Sequence, residues 1–275
     1  MRPRSRPRTL LATRLLTTAA VAALVGLSLA ACQTTGPDIT GSIGAPSHAP
    51  STDGEWRQSL QIWGERYRRS PDDAEAAINY ARALRATQQR AQAVAVLEQA
   101  SIRHPHNMKL LGDFGRALAE AGQLPQALDA LSRAHTPDNP DWRILNAQGA
   151  VLDQMGRHKD AQRHYSSALK IVPNEASVLS NLGLSYALEK RLKRAELTLR
   201  RAVAQPDAQP KVRQNLALVV GLQGRLKEAE KIAGESLPPD EAAANVRYLR
   251  DMLARQNELK KAGRQPYVPP PDAGT

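Results

Sequence analysis

Cysteine is almost missing from this chain: Cys32 is the only one in 275 residues. A lone cysteine forms no internal disulfide and leaves no cysteine pair to hold a metal. Aromatic residues make up 4% of the sequence, with a single Phe, which fits helices packed by Ala and Leu rather than a sheet sandwich. No run of alternating β-branched residues marks a strand, so the expected fold class is all-α. The motifs of chemistry are missing too. There is no Gly-rich phosphate loop, no Cys/His cluster at metal spacing and no G-x-S-x-G nucleophile. His104-Pro105-His106 reads as a polar turn, because the proline prevents two histidines from sharing a helical turn. His158 and His164, six apart, do not share a helix face. No catalytic residue, metal or cofactor is expected, and the chain does not read as an enzyme.

What the sequence has instead is recurrence. Gly115, Gly149 and Gly183 stand 34 residues apart, as do Ala93, Ala127, Ala161, Ala195 and Ala229. Ala100, Ala134, Ala168 and Ala202 form a second series. Small residues at one phase are what two antiparallel helices need where their axes cross at roughly 8–10 Å. Larger residues, Leu145, Leu152 and Tyr165 in one unit and Leu179, Leu182, Tyr186 and Leu199 in the next, fill the remaining holes. Turns between the paired helices fall at Gln89-Arg90, Gly122-Gln123, Gly156-Arg157, Lys190-Arg191 and Gly224-Arg225. Pro105, Pro173 and, nearly in phase, Pro140 and Pro206 close the units. A period of 34 built this way resembles the tetratricopeptide repeat (TPR), which implies a superhelical solenoid of antiparallel helix pairs.

In order along the chain, Arg2, Arg4, Arg6, Arg8 and Arg14 precede an apolar run from Leu15 to Leu29. This reads as an export signal over residues 1–31, the run being shorter than the ~20 residues of a transmembrane helix. Leu29-Ala30-Ala31-Cys32 resembles the lipobox of bacterial lipoproteins, which implies lipidation at Cys32 and a membrane anchor. Gln33, where an Asp would imply retention at the inner membrane, suggests an outer-membrane, periplasm-facing location. Residues 32–54 read as a flexible tether rich in Thr, Ser, Gly and Pro. Trp56, Leu60, Trp63 and Tyr67 then give one apolar helical face over 55–70, a cap for the first repeat. Full units are expected at 74–107, 108–141, 142–175 and 176–209, with a degenerate fifth at 210–236. A C-terminal capping helix is expected over 240–262, with Val246, Leu249, Met252, Leu253 and Leu259 on its apolar side. Residues 263–275, with Pro266 and Pro269-Pro270-Pro271, read as a disordered tail.

Function must then lie in surface. In TPR arrays the first helix of each unit lines the concave groove. Aligning the units puts Arg82, Arg85, Lys109, Arg116, Arg143 and Asn146 there in the first three, and Leu184, Leu188, Leu218 and Leu222 in the last two. A groove basic at one end and apolar at the other suits a peptide of acidic character. The net charge of +11 falls to +6 without residues 1–31, which hold five Arg and no acid. The remaining cations are interleaved with acids along the sequence, so no nucleic-acid partner is expected.

Two stretches carry a narrower resemblance. Asn215-Leu-Ala-Leu-Val-Val-Gly-Leu-Gln-Gly-Arg-Leu-Lys-Glu-Ala-Glu-Lys and Leu237-Pro-Pro-Asp-Glu-Ala-Ala-Ala-Asn-Val-Arg-Tyr-Leu are not demanded by the repeat itself. With the lipobox, they resemble the TadD family of TPR lipoproteins from tight-adherence (Flp pilus) systems. That resemblance implies a scaffold that helps assemble or localise the pilus secretin, through protein partners of that apparatus. An adaptor for another envelope machine (type IV pilus, outer-membrane assembly) and a regulator of a cell-wall enzyme are the alternatives, separable by gene neighbourhood.

Overall fold

A computed structural model describes residues 52–262, and every regular element among them is a helix. The signal peptide expected at 1–31, Cys32, residues 33–51 of the expected tether and the tail expected at 263–275 lie outside the described residues. Twelve helices follow: α1 Asp53–Arg69, α2 Ala74–Ala86, α3 Arg90–Arg103, α4 Met108–Glu120, α5 Leu124–Ser132, α6 Trp142–Gln154, α7 His158–Ile171, α8 Ala176–Leu188, α9 Leu192–Val203, α10 Pro210–Leu222, α11 Leu226–Gly234 and α12 Pro239–Ala262. Helix α1 begins two residues before the expected Glu55. Thr52 makes a capping box with Glu55: the Glu55 N–H donates to Thr52 Oγ1 (3.3 Å) and the Thr52 N–H to Glu55 Oε2 (3.0 Å).

The 34-residue period is written most plainly in the helix ends. The first helices of the repeats start at 74, 108, 142, 176 and 210, behind N-cap residues Asp73, Asn107, Asp141, Glu175 and Gln209. Asp73 takes two backbone N–H groups, from Glu75 and Ala76, each at 3.0 Å. Asn107 and Asp141 take one each, Glu175 takes one at 3.4 Å, and Gln209 takes none. The short Asp and Asn side chains reach their helix ends closely, Glu175 only at 3.4 Å and Gln209 not at all, so the cap fades toward the C-terminus.

The turn inside each helix pair obeys the same period. Gln88, Gly122, Gly156, Lys190 and Gly224 all have positive φ, between 62° and 85°. The first turn is therefore centred on Gln88, one residue before the Gln89 expected from sequence. Only glycine takes this left-handed conformation without cost, and a side chain there is disfavoured by roughly 1–2 kcal/mol. Lys190→Gly relieves that cost but frees the unfolded chain, so we expect a net gain of about 0.5–1 kcal/mol, read as a higher urea midpoint with an unchanged slope.

The chain forms two compact units divided at Met155–Gly156. In the first, each helix packs on the next, and the first helices α2, α4 and α6 also touch one another in succession. Its core runs from Ala77, Ile78 and Leu84 through Leu97, Leu110 and Leu131 to Ile144 and Val151. Helix α1 covers its start: Leu60 and Tyr67 pack on that core, and Tyr67 stacks on Tyr80 at 5.8 Å. Trp56 and Trp63 are half-buried in the same face. The close approach is visible at Gly115, where a Cβ would lie 2.5 Å from Leu131 Cγ and 3.1 Å from the Ala127 carbonyl oxygen. Helix α5 stops at Ser132, before Pro137 and Pro140.

The second unit repeats the scheme, α7 to α12 each packing on the next, with α8 on α10 and α10 on α12. Ala161, Ala195, Ala202 and Ala229 are buried together with Leu179, Leu199 and Tyr165. Helix α12 seats Ala242, Val246 and Leu249, while Met252 and Leu253 are half-buried.

Candidate functional site

On the first helices of the first unit, the expected groove arginines come together, but not as free cations. Arg82 holds Asp113 with two bonds, Nε to Oδ1 at 3.0 Å and Nη2 to Oδ2 at 2.8 Å. Arg85 donates from Nε to Glu120 at 2.8 Å, and its Nη1 lies 3.8 Å from Asp113. Both acids sit on α4, 31 and 35 residues beyond their arginines, about one repeat length. That offset is the signal in the sequence, and an alignment of the cations alone does not reveal it. Asp113 is buried, at 2% exposure, so the bidentate pair works in a poorly screened setting.

Arg116 completes the cluster from inside. It is 7% exposed rather than open to the groove. Burial pulls its guanidinium below the ordinary arginine range; Asp113 opposes this, and the Arg85 and Arg82 charges add to it. Asn146, at 2% exposure, is likewise part of the packing. Lys109 is exposed at the start of α4, and Arg143 lies over the Trp142 ring at 4.6 Å. Neither forms an ion pair with the cluster. Three arginines against two carboxylates leave this face only mildly basic.

In the second unit the first-helix face is apolar. Leu184 and Leu188 on α8, and Leu218 and Leu222 on α10, are all half-buried, on helices that touch. Polar cross-ties hold those helices in place: Asn215 Nδ2 donates to Ser180 Oγ (3.0 Å) and Gln162 Nε2 to Glu189 (2.8 Å). A four-membered ring of charge binds α9 to the start of α11. Arg200 bridges Glu196 (2.7 Å) and Glu228 (2.8 Å), and Arg225 bridges the same two acids. Partial burial raises the Glu196 carboxyl, but hydrogen bonds from Gln223, Arg200 and Arg225 outweigh it and bring the pKa to about 2.

His104 is a structural tie, its Nε2 lying 2.8 Å from the Asp72 carbonyl oxygen. Among the described residues no group of His, Cys, Asp and Glu is placed to hold a metal, and no helix is long and apolar enough to cross a membrane.

Two family models described as tetratricopeptide repeat match residues 86–149 and 146–211. A search of curated proteins returned no match. Among solved structures, the APC/C hetero-tetramer Cut9-Hcn1 is similar with a TM-score of 0.62 and 16% identity, over 74% of this chain and 40% of that one. TTC0263, described as a thermophilic TPR protein in Thermus thermophilus, has a TM-score of 0.56 and 22% identity, over 64% of this chain and 98% of that one. At such identities the likeness is one of fold. Repeats of the tetratricopeptide type therefore occupy residues 86–211, and the described residues on either side continue the same all-α scheme of paired helices.

Proposed function

We propose that this protein is a non-enzymatic scaffold lipoprotein of the Flp (Tad) pilus system, held at the outer membrane by Cys32 and assisting secretin assembly or localisation. The repeats support the general part of this reading, a surface for binding other proteins. The observation that carries it is the leucine face of α8 and α10: Leu184, Leu188, Leu218 and Leu222 stay half-exposed on first helices that polar ties fix in position. Such a preformed apolar face suits a partner helix or strand whose alternate side chains are apolar. The pilus assignment is supported by the two C-terminal stretches that the repeat does not demand. There Gly221 of α10 leaves room for Leu249 of α12: a Cβ at 221 would run into the Leu249 side chain.

Chemical cross-linking in native membranes, followed by recovery of the protein, tests this reading. The expected outcome is co-recovery of a secretin from the outer-membrane fraction, with Cys32→Ser releasing the protein into the soluble fraction. Unchanged membrane association and lipid labelling in Cys32→Ser would contradict the anchor. Recovery of a cell-wall enzyme in place of a secretin would move the assignment to that class.

A further inference from the structure

The second helices of the second unit carry a feature that the groove reading does not use. Residues 157–203 contain ten Arg and Lys and four Asp and Glu, a net +6 that equals the net charge of all residues from 32 onward. Along the sequence these cations alternate with acids; helical folding sorts them. Lys159, Arg163 and Lys170 recur along one side of α7, with Ser166 between them, and Arg194 reaches in from α9. Together with Tyr186 they border an open hollow of about 440 Å³ with no acid in its lining. Lys159 and Lys170 are exposed, and Arg163 pairs with Asp160. The Arg194 guanidinium lies 4.4 Å above the Tyr186 ring and Arg191 lies 5.1 Å from it.

We propose that this second-helix face binds an extended, acidic peptide segment of a protein partner, independently of the first-helix leucine face. The cations are strung out rather than convergent. Eleven residues of helix separate Lys159 from Lys170, about 16 Å at 1.5 Å per residue. A single phosphate or carboxylate engages one point of such a stripe, whereas an extended chain spans it in about five residues. Same-side side chains of that chain recur at roughly 6.7 Å, close to the roughly 6 Å from Lys159 to Arg163, so acids two residues apart meet that pair, and the chain then runs past Ser166 for roughly 10 Å to Lys170. Nucleic acid fits less well. Tyr186, 5% exposed and covered by two guanidinia, offers no ring on which a base could stack. Leu197, 65% exposed and three residues beyond Arg194 on the same helix side, adds an apolar contact of the kind a peptide uses. The segment is not the chain's own terminus, since residues 33–51 and 263–275 contain one acid each, Asp38 and Asp272.

Fluorescence anisotropy of a labelled decapeptide of alternating Glu and Ala, titrated with the intact chain at low salt, tests the proposal. Binding is expected, weakening as salt shortens the reach of the charges. Lys159→Gln with Lys170→Gln should weaken it about tenfold without moving the melting temperature, both side chains being exposed. Lys227→Gln with Lys231→Gln makes the same charge change on exposed positions of α11 and should leave affinity within about twofold. Absence of binding, or equal weakening by both pairs, would overturn the proposal. So would tighter binding of an oligothymidylate or of phosphatidylserine vesicles through Lys159 and Lys170.

Discussion

Replacing Asp113 with Asn should cost the first unit about 3–5 kcal/mol, the range expected when one partner of a buried charge network is removed. The side chain keeps its shape, so the effect isolates charge. Asp113 is 2% exposed and accepts two hydrogen bonds from Arg82, and it is the acid nearest Arg85 after Glu120. It also offsets the burial cost of the Arg116 guanidinium. Without it, the charges of Arg82, Arg85 and Arg116 are left with Glu120 beside Arg85 and Asp141 acting on Arg116. The check is the urea midpoint of Asp113→Asn followed by a probe in the first unit, Trp142 fluorescence for instance. Asp72→Asn provides the contrast. That carboxylate is 85% exposed and pairs with Arg103 at the surface, so its loss should cost no more than about 1 kcal/mol. Such a difference between two Arg–Asp pairs follows from burial and from the three arginines that Asp113 serves against one for Asp72.

The fold was legible in the sequence because close packing leaves a strict residue: positions such as Ala93, Ala127, Ala195 and Gly115 tolerate almost nothing larger, so the period shows through divergent neighbours. The capping positions were equally periodic and went unread. Asp73, Asn107, Asp141, Glu175 and Gln209 share a role but not a residue type, and only the backbone geometry reveals the series. The same holds for the left-handed turn, where Gln88 and Lys190 stand in for glycine. The groove was read less well for a different reason. Arg82 and Arg116 occupy equivalent positions one repeat apart, yet one is partly exposed and paired while the other is buried. Phase tells which helix a side chain leaves; it does not tell what the neighbouring helix puts opposite. Asp113 and Glu120 lie opposite Arg82 and Arg85, and no alignment of cations alone finds them. The basic face of α7 and α9 escaped notice in the same way, since acids that interrupt it along the chain point elsewhere or are held in pairs, as Glu196 is by Arg200 and Arg225.

The second large effect is expected at Gly183, and it bears on the packing itself. A Cβ there would sit 2.6 Å from Leu199 Cγ, inside a core where Leu199 has no exposed surface, and 3.3 Å from the Ala195 carbonyl oxygen. Gly183→Val should therefore destabilise the second unit by about 3 kcal/mol, overpacking exceeding the helix propensity recovered by losing a glycine. Leu199→Ala alone should also destabilise, by about 2–5 kcal/mol, because it opens a cavity. The double variant decides the matter. If the recurring small residues exist to let neighbouring helices approach, the valine methyls enter the space vacated by Leu199. Stability of Gly183→Val/Leu199→Ala should then exceed the additive expectation by at least ~1 kcal/mol. Additivity of the two changes to within ~0.5 kcal/mol would mean that Gly183 and Leu199 do not touch, and would contradict the close helix packing on which the second unit rests.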